Sequence, residues 1–188
     1  MATATEILRK EHDAILRMLE VTEQVAEQLD RGEKVAPQTL DGLLEFFRLF
    51  ADQCHHGKEE ELLFPALERK GMPRQAGPIE VMLIEHDQGR ALVQQMAQEG
   101  AAYAAGTAGA AGRWSSAARG YVQLLREHIY KENNILFVMA ERILSGTEQQ
   151  ELVVAFERVE EEKMGAGTHE RLHKLMDKLA AEVHATRS

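Results

Sequence analysis

His55-His56-Gly57-Lys58-Glu59-Glu60-Glu61-Leu62-Leu63-Phe64-Pro65 holds a histidine and a glutamate four residues apart, and the pattern returns as His128-Ile129-Tyr130-Lys131-Glu132. Upstream of each stands a further histidine between acidic residues. Glu11-His12-Asp13 places His12 43 residues before His55, and Glu85-His86-Asp87 places His86 42 residues before His128. Positions i and i+4 share one face of a helix, so each His-x-x-x-Glu aims an imidazole and a carboxylate at one point. A single pair of this kind is an ordinary surface ion pair. Two pairs, each preceded by a histidine at matching distance, form a duplicated set of two His and one Glu. Nitrogen and oxygen donors of this type suit iron, manganese or zinc better than a soft thiolate site would.

Periodicity places all six side chains on inward faces of helices. Thr5 is the expected N-cap of a first helix running towards Asp30, with Leu8, His12, Ile15 and Leu19 along one side. Pro37 opens a second helix with the stripe Leu40, Leu44, Phe47, Ala51, His55, Glu59 and Leu62, which Pro65 ends or kinks. After a Gly- and Pro-rich loop, a third helix carries Ile79, Met82, Leu83, His86 and Val93 from about residue 79 to 98. The fourth, from Trp114 to Leu144, carries Tyr121, Leu124, His128, Glu132, Ile135 and Met139. Short connections favour antiparallel neighbours, so the expected fold is all-α, an up-down-up-down four-helix bundle over residues 1–145. Residues 146–188 form an extension of two more amphipathic helices. Thr147 starts the first in a capping box with Gln150, and Thr168 caps the second. The extension is expected to pack on the bundle or on a second copy in a homodimer.

The register of the first pair has two solutions. Aligning Leu63-Phe64 with Leu136-Phe137 brings Lys58-Glu59 onto Lys131-Glu132 and His55 onto His128. Ala51 and Leu44 precede His55 at helical spacing, whereas Asp52 and Glu45 precede His56 and read as a solvent face. His55 with Glu59 is therefore preferred, and His56 with Glu60 is the alternative.

With these residues in place the chain resembles the hemerythrin-like HHE cation-binding family over residues 1 to about 145. That resemblance implies a bundle around a non-haem di-iron centre, with His12, His55, His86 and His128 as terminal ligands and Glu59 and Glu132 bridging. Two iron ions, oxo- or hydroxo-bridged, are the implied cofactor, with Mn or Zn taken up on heterologous expression. The oxygen-carrying hemerythrins have a second histidine four residues after the third-helix ligand, and here that position is Arg90. Ligand counting then leaves about one open position on each metal, an arrangement suited to peroxide, nitric oxide or dioxygen. The family includes oxygen binders, peroxide-decomposing proteins and proteins of nitrosative-stress and iron-sulfur repair. Turnover, reversible sensing and iron donation are all compatible with the residues present.

Other residues have two readings each. Asp13 and Asp87 could orient ligand histidines or simply flank the helices. Tyr121 could supply a proton or electron or be core. Gly89 could open a path for a small ligand or allow close helix packing. Cys54 could be a redox thiol or a small buried residue, and His169 with His173 could cap the site or lie on the surface.

Composition narrows the partners. With 22 Lys and Arg against 31 Asp and Glu, the net charge is -9 and no basic stripe exists for nucleic acid. No apolar run is long enough for a membrane span or signal peptide, and the lone Cys54 excludes an internal disulfide. A soluble, cytoplasmic protein is expected. No flavin or rubredoxin module is encoded, so any electron-donor protein would be a separate chain.

Overall fold

The computed structural model describes residues 2–165 and 167–185, and the described residues form helices joined by turns and short irregular segments. Six helices follow in order. Helix α1 is Ala4–Asp30. Helix α2 covers residues 37–69, α3 is Pro78–Ala104, and α4 covers residues 110–143. Helices α5, Gly146–Met164, and α6, Thr168–Ala185, complete the chain.

Local chemistry sets the helix starts. Helix α1 begins two residues before the expected position: Thr3, not Thr5, is its N-cap, in a capping box with Glu6. Thr5 is buried one turn inside. Likewise Ser145 with Glu148, rather than Thr147 with Gln150, caps α5. In both cases a glutamate at the third helical position completes the box, whereas Thr5 has Leu8 at that spacing and Thr147 has Gln150. Gly32, at φ 74°, closes α1 while the Glu33 amide donates to the Gln28 carbonyl. Pro65 neither ends nor breaks α2, because it falls in the first turn of the segment Phe64–Arg69.

Helices α2 and α4 contain wide π-helical turns. In α2 they are Phe47–His56 and Glu59–Leu63, and in α4 Glu132–Leu136. A π-turn holds about one residue more than an α-turn, so the inward face slips by about one position along the sequence. The slip corrects the expected stripe of α4: Ile135 and Met139 are partly exposed, while Leu136, Phe137 and Ala140 are buried.

Two apolar clusters form the interior. One gathers Ile15 to Ala51, Val93 to Ile129 and the inner face of α6, and the other gathers Ala4, Leu8, Leu63 to Met82 and Leu136 to Phe156. The polar residues of the repeat lie between them, since His12 sits between Leu8 and Ile15 on α1, and His128 between Leu125 and Leu136 on α4. Helices α5 and α6 both pack on α1 and α2. At Gly42 helix α2 meets α6, and an added Cβ would stand 3.1 Å from Leu179 Cδ2. Among the described residues no helix is long and apolar enough to cross a membrane.

Candidate metal centre

The six sequence-derived residues converge. His12, His55, His86, His128, Glu59 and Glu132 are all at most 1 % exposed. The histidines form two facing pairs, with Nε2 atoms 2.9 Å apart for His12 and His55 and 3.1 Å apart for His86 and His128. Each glutamate presents one oxygen to each pair. Glu132 Oε2 is 3.1 Å from His12 Nε2 and Oε1 is 3.2 Å from His128 Nε2. Glu59 Oε1 is 3.7 Å from His55 Nε2 and Oε2 is 3.5 Å from His86 Nε2.

Every one of these rings is fixed through its other nitrogen. Nδ1 of His55 donates to Glu11 at 2.8 Å and Nδ1 of His128 to Glu85 at 2.9 Å. Nδ1 of His86 donates to Glu60 at 2.7 Å, and Nδ1 of His12 to the Asn133 amide oxygen at 2.9 Å. A neutral imidazole that donates from Nδ1 keeps a lone pair on Nε2, the tautomer a metal ligand needs. Lys58 in turn holds Glu11, and Lys131 holds Glu85. Phe137 stacks on His12 and Phe64 on His86, so the apolar walls repeat as well. These partners are the sequence neighbours of the six: Glu11 and Glu85 precede a histidine, and Lys58, Lys131, Glu60 and Asn133 flank a glutamate. They were visible in the repeat. Asp13 and Asp87, considered as orienting groups, instead face solvent.

The fit to a cation can be judged from groups left without partners. All four carboxylate oxygens of Glu59 and Glu132 are buried and accept no hydrogen bond, a costly arrangement without a counter-charge. Lone pairs on facing Nε2 atoms cannot hydrogen-bond each other. Their 2.9 and 3.1 Å spacings match the edge between adjacent ligands about 2.1 Å from one metal. The electrostatics agree. Burial, and then the Glu132 charge, push the Glu59 carboxyl well above its ordinary range. Burial alone would also raise Glu132, but the His128 and His12 rings hold it well below. Burial works against a charge on His128, yet Glu132 and Glu85 on either side bring its pKa up to about 9, so without a cation its Nε2 holds the proton that a metal would replace. The chain thus concentrates negative charge and lone pairs where only a proton or a metal can neutralise them.

The repeat is not perfect at its edges. His56, the alternative register, is also buried, and its ring lies face to face with that of His86, with centroids 3.9 Å apart. A nitrogen of His56 falls in one group with donor atoms of Glu59, His86 and His128, all within 4.8 Å of one another. The other group is His12, His55, Glu59 and Glu132. A cavity of about 150 Å³ reaches His56 from the surface between Gly89, Arg90, Asp52, Phe47 and Tyr121. Tyr121 is buried with its ring edge against Phe47. Cys54 is buried too, and burial first, with Glu11 and Glu160 nearby, pushes its thiol up to about 12. His169 lies tilted against Phe50 and His173 meets it edge-on, and they join neither group of donors.

The profile of the Hemerythrin HHE cation binding domain matches residues 3–140. The chain belongs to that family. Among its relatives is the iron-sulfur cluster repair protein YtfE of Yersinia pseudotuberculosis serotype IB, 34% identical over 145 residues, 72% of this chain and 63% of that protein. An uncharacterized protein of Mycobacterium tuberculosis strain H37Rv is 24% identical over 176 residues, 93% of this chain and 68% of its own length. The chain therefore spans less than two thirds of the repair protein. No solved structure matches it. The HHE match covers both histidine pairs and both glutamates, and it stops before α5 and α6.

Proposed function

We propose that this HHE protein is a non-haem di-iron protein that binds or reacts with a small oxidant or diatomic molecule, O2, H2O2 or NO, in oxidative or nitrosative stress. The observation that carries it is the pair of buried, unpartnered carboxylates, each offering one oxygen to each histidine pair. On this reading residues 1–145 are an up-down-up-down bundle, His12, His55, His86 and His128 are terminal ligands, and Glu59 and Glu132 bridge. Residues 146–188 are an accessory extension. A bound iron pair supplies the capacity to exchange electrons with a small oxidant. The chain's own part is to fix four imidazoles through Nδ1, to exclude bulk water with Phe64 and Phe137, and to keep the cavity beside Tyr121 narrow. The name of the Yersinia relative, a cluster repair protein, supports a role in repair after such stress, in the cytoplasm.

Metal analysis after expression in iron-replete cells, with absorption spectra before and after H2O2, O2 and NO, tests this. Two irons per chain, a spectral response to one of these molecules, and loss of metal in Glu132→Ala are expected. One zinc per chain with no response would overturn it.

A second reading, a sensor without turnover, is favoured by one observation. Glu160 on α5 pairs with Lys58, which pairs with Glu11, which holds His55. The extension is thereby wired to a proposed ligand. Hydrogen exchange in α5 and α6 that changes on ligand binding, together with a single reversible spectral change, would select this reading.

A further inference from the structure

We infer that His56 is a fifth histidine ligand, completing the position beside His86 and His128, so that the two metals are inequivalent. The inference rests on the di-metal reading above and assigns a ligand outside the duplicated set.

The π-helical segment Phe47–His56 makes this placement possible. On a regular α-helix adjacent residues point about 100° apart, and His56 would follow Asp52 to the surface. The wider turn brings both His55 and His56 inside, each to a different pair. His55 joins His12, while His56 lies against His86, with interplanar angle 17°, and edge-on to His128. Its Nδ1 is buried and makes no hydrogen bond, although Asp52 Oδ1 stands 3.4 Å away. A buried imidazole without a hydrogen bond at Nδ1, in van der Waals contact with another ligand ring, is an expensive way to fill space.

Arg90 gives the arrangement its frame. Its Nε donates to Asp52 at 2.8 Å and its Nη2 to Glu60 at 2.7 Å. One guanidinium therefore fixes the carboxylate beside His56 and the carboxylate that holds His86. Arg90 occupies the place where the oxygen-carrying hemerythrins have a histidine, and the structure makes good that loss from the neighbouring helix. The other pair has no such supplement. The position equivalent to His56 in the second half is Ile129, which is buried and apolar.

The ligand count changes accordingly. The metal at His86 and His128 gains a third imidazole, and the open position expected there closes. With both metals bound, that count would leave the remaining open position with the His12 and His55 pair.

Metal-free full-length protein titrated with Co(II) tests the assignment, because the visible bands of Co(II) report its coordination number. Wild type is expected to bind two equivalents. In His56→Ala one equivalent should weaken by about tenfold or more with a change in the visible bands, while the other stays unchanged. Added imidazole should reverse both effects, since the cavity behind His56 opens to solvent. His56→Gln serves if the alanine variant does not fold, which melting of the metal-free proteins shows. Two equivalents of unchanged affinity with unchanged bands in the folded variant would overturn the assignment. Wild type failing to take two metals would instead overturn the di-metal reading itself.

Discussion

Glu11 and Glu85 each stand one residue from a proposed ligand yet act on a different histidine, across the interface between two helices. Removing such a partner frees the ring to rotate and lowers its basicity, which typically weakens metal binding by about 10–100-fold. Glu11→Ala should therefore lose metal to a chelator within that range, and Asp13→Ala, altering an exposed neighbour, should match wild type. Competition with a chromophoric chelator measures both, and equal behaviour of the two variants would contradict the role given to Glu11. At this scale the sequence was informative in an uneven way. The six inward residues follow from helical periodicity together with the duplication, which was needed to choose His55 and Glu59 over His56 and Glu60. The orienting residues lay in the same repeat, but one-dimensional spacing cannot tell which acidic neighbour reaches across to another helix. His56 could be read only as an alternative to His55, because a regular α-helical period does not bring both inside.

Helices were legible as elements because their stripes are long and apolar, and because Pro37 marks the start of the second. The π-turns were not, since nothing in local composition announces one additional residue in a turn. They displaced Ile135 and Met139 outward and brought His56 inward. The docking of α6 was also beyond sequence reading, because its stripe fits this bundle as well as a second copy. It meets α2 at Gly42, where Leu179 and Leu175 stand 3.1 and 3.3 Å from an added Cβ. Gly42→Leu should overpack this contact and destabilise the protein by about 1–3 kcal/mol. Chemical denaturation measures the loss, and hydrogen exchange should rise first in residues 168–185. Metal content should remain unchanged, because Gly42 lies more than three turns from His55 along α2.

The molecule as a whole holds a carboxylate-bearing, partner-poor centre between two apolar clusters. Such a centre is stable only with its charge compensated, so metal and folding are linked. A ligand at about 100 times its dissociation constant adds about 2.7 kcal/mol to the stability of the state that binds it. Stripping metal with a chelator should lower the melting temperature, and restoring Fe(II) or Zn(II) should raise it again. An unchanged melting temperature would mean that the centre tolerates its bare carboxylates. The residues following the two glutamates, Glu60 and Asn133, also hold the histidines of the opposite halves, His86 and His12. Each half thus brings two rings and one carboxylate and borrows a clamp from the other. Cut in the loop after Arg69, the chain would give two fragments that are each incompetent for metal, and iron itself would become the reagent that rejoins them.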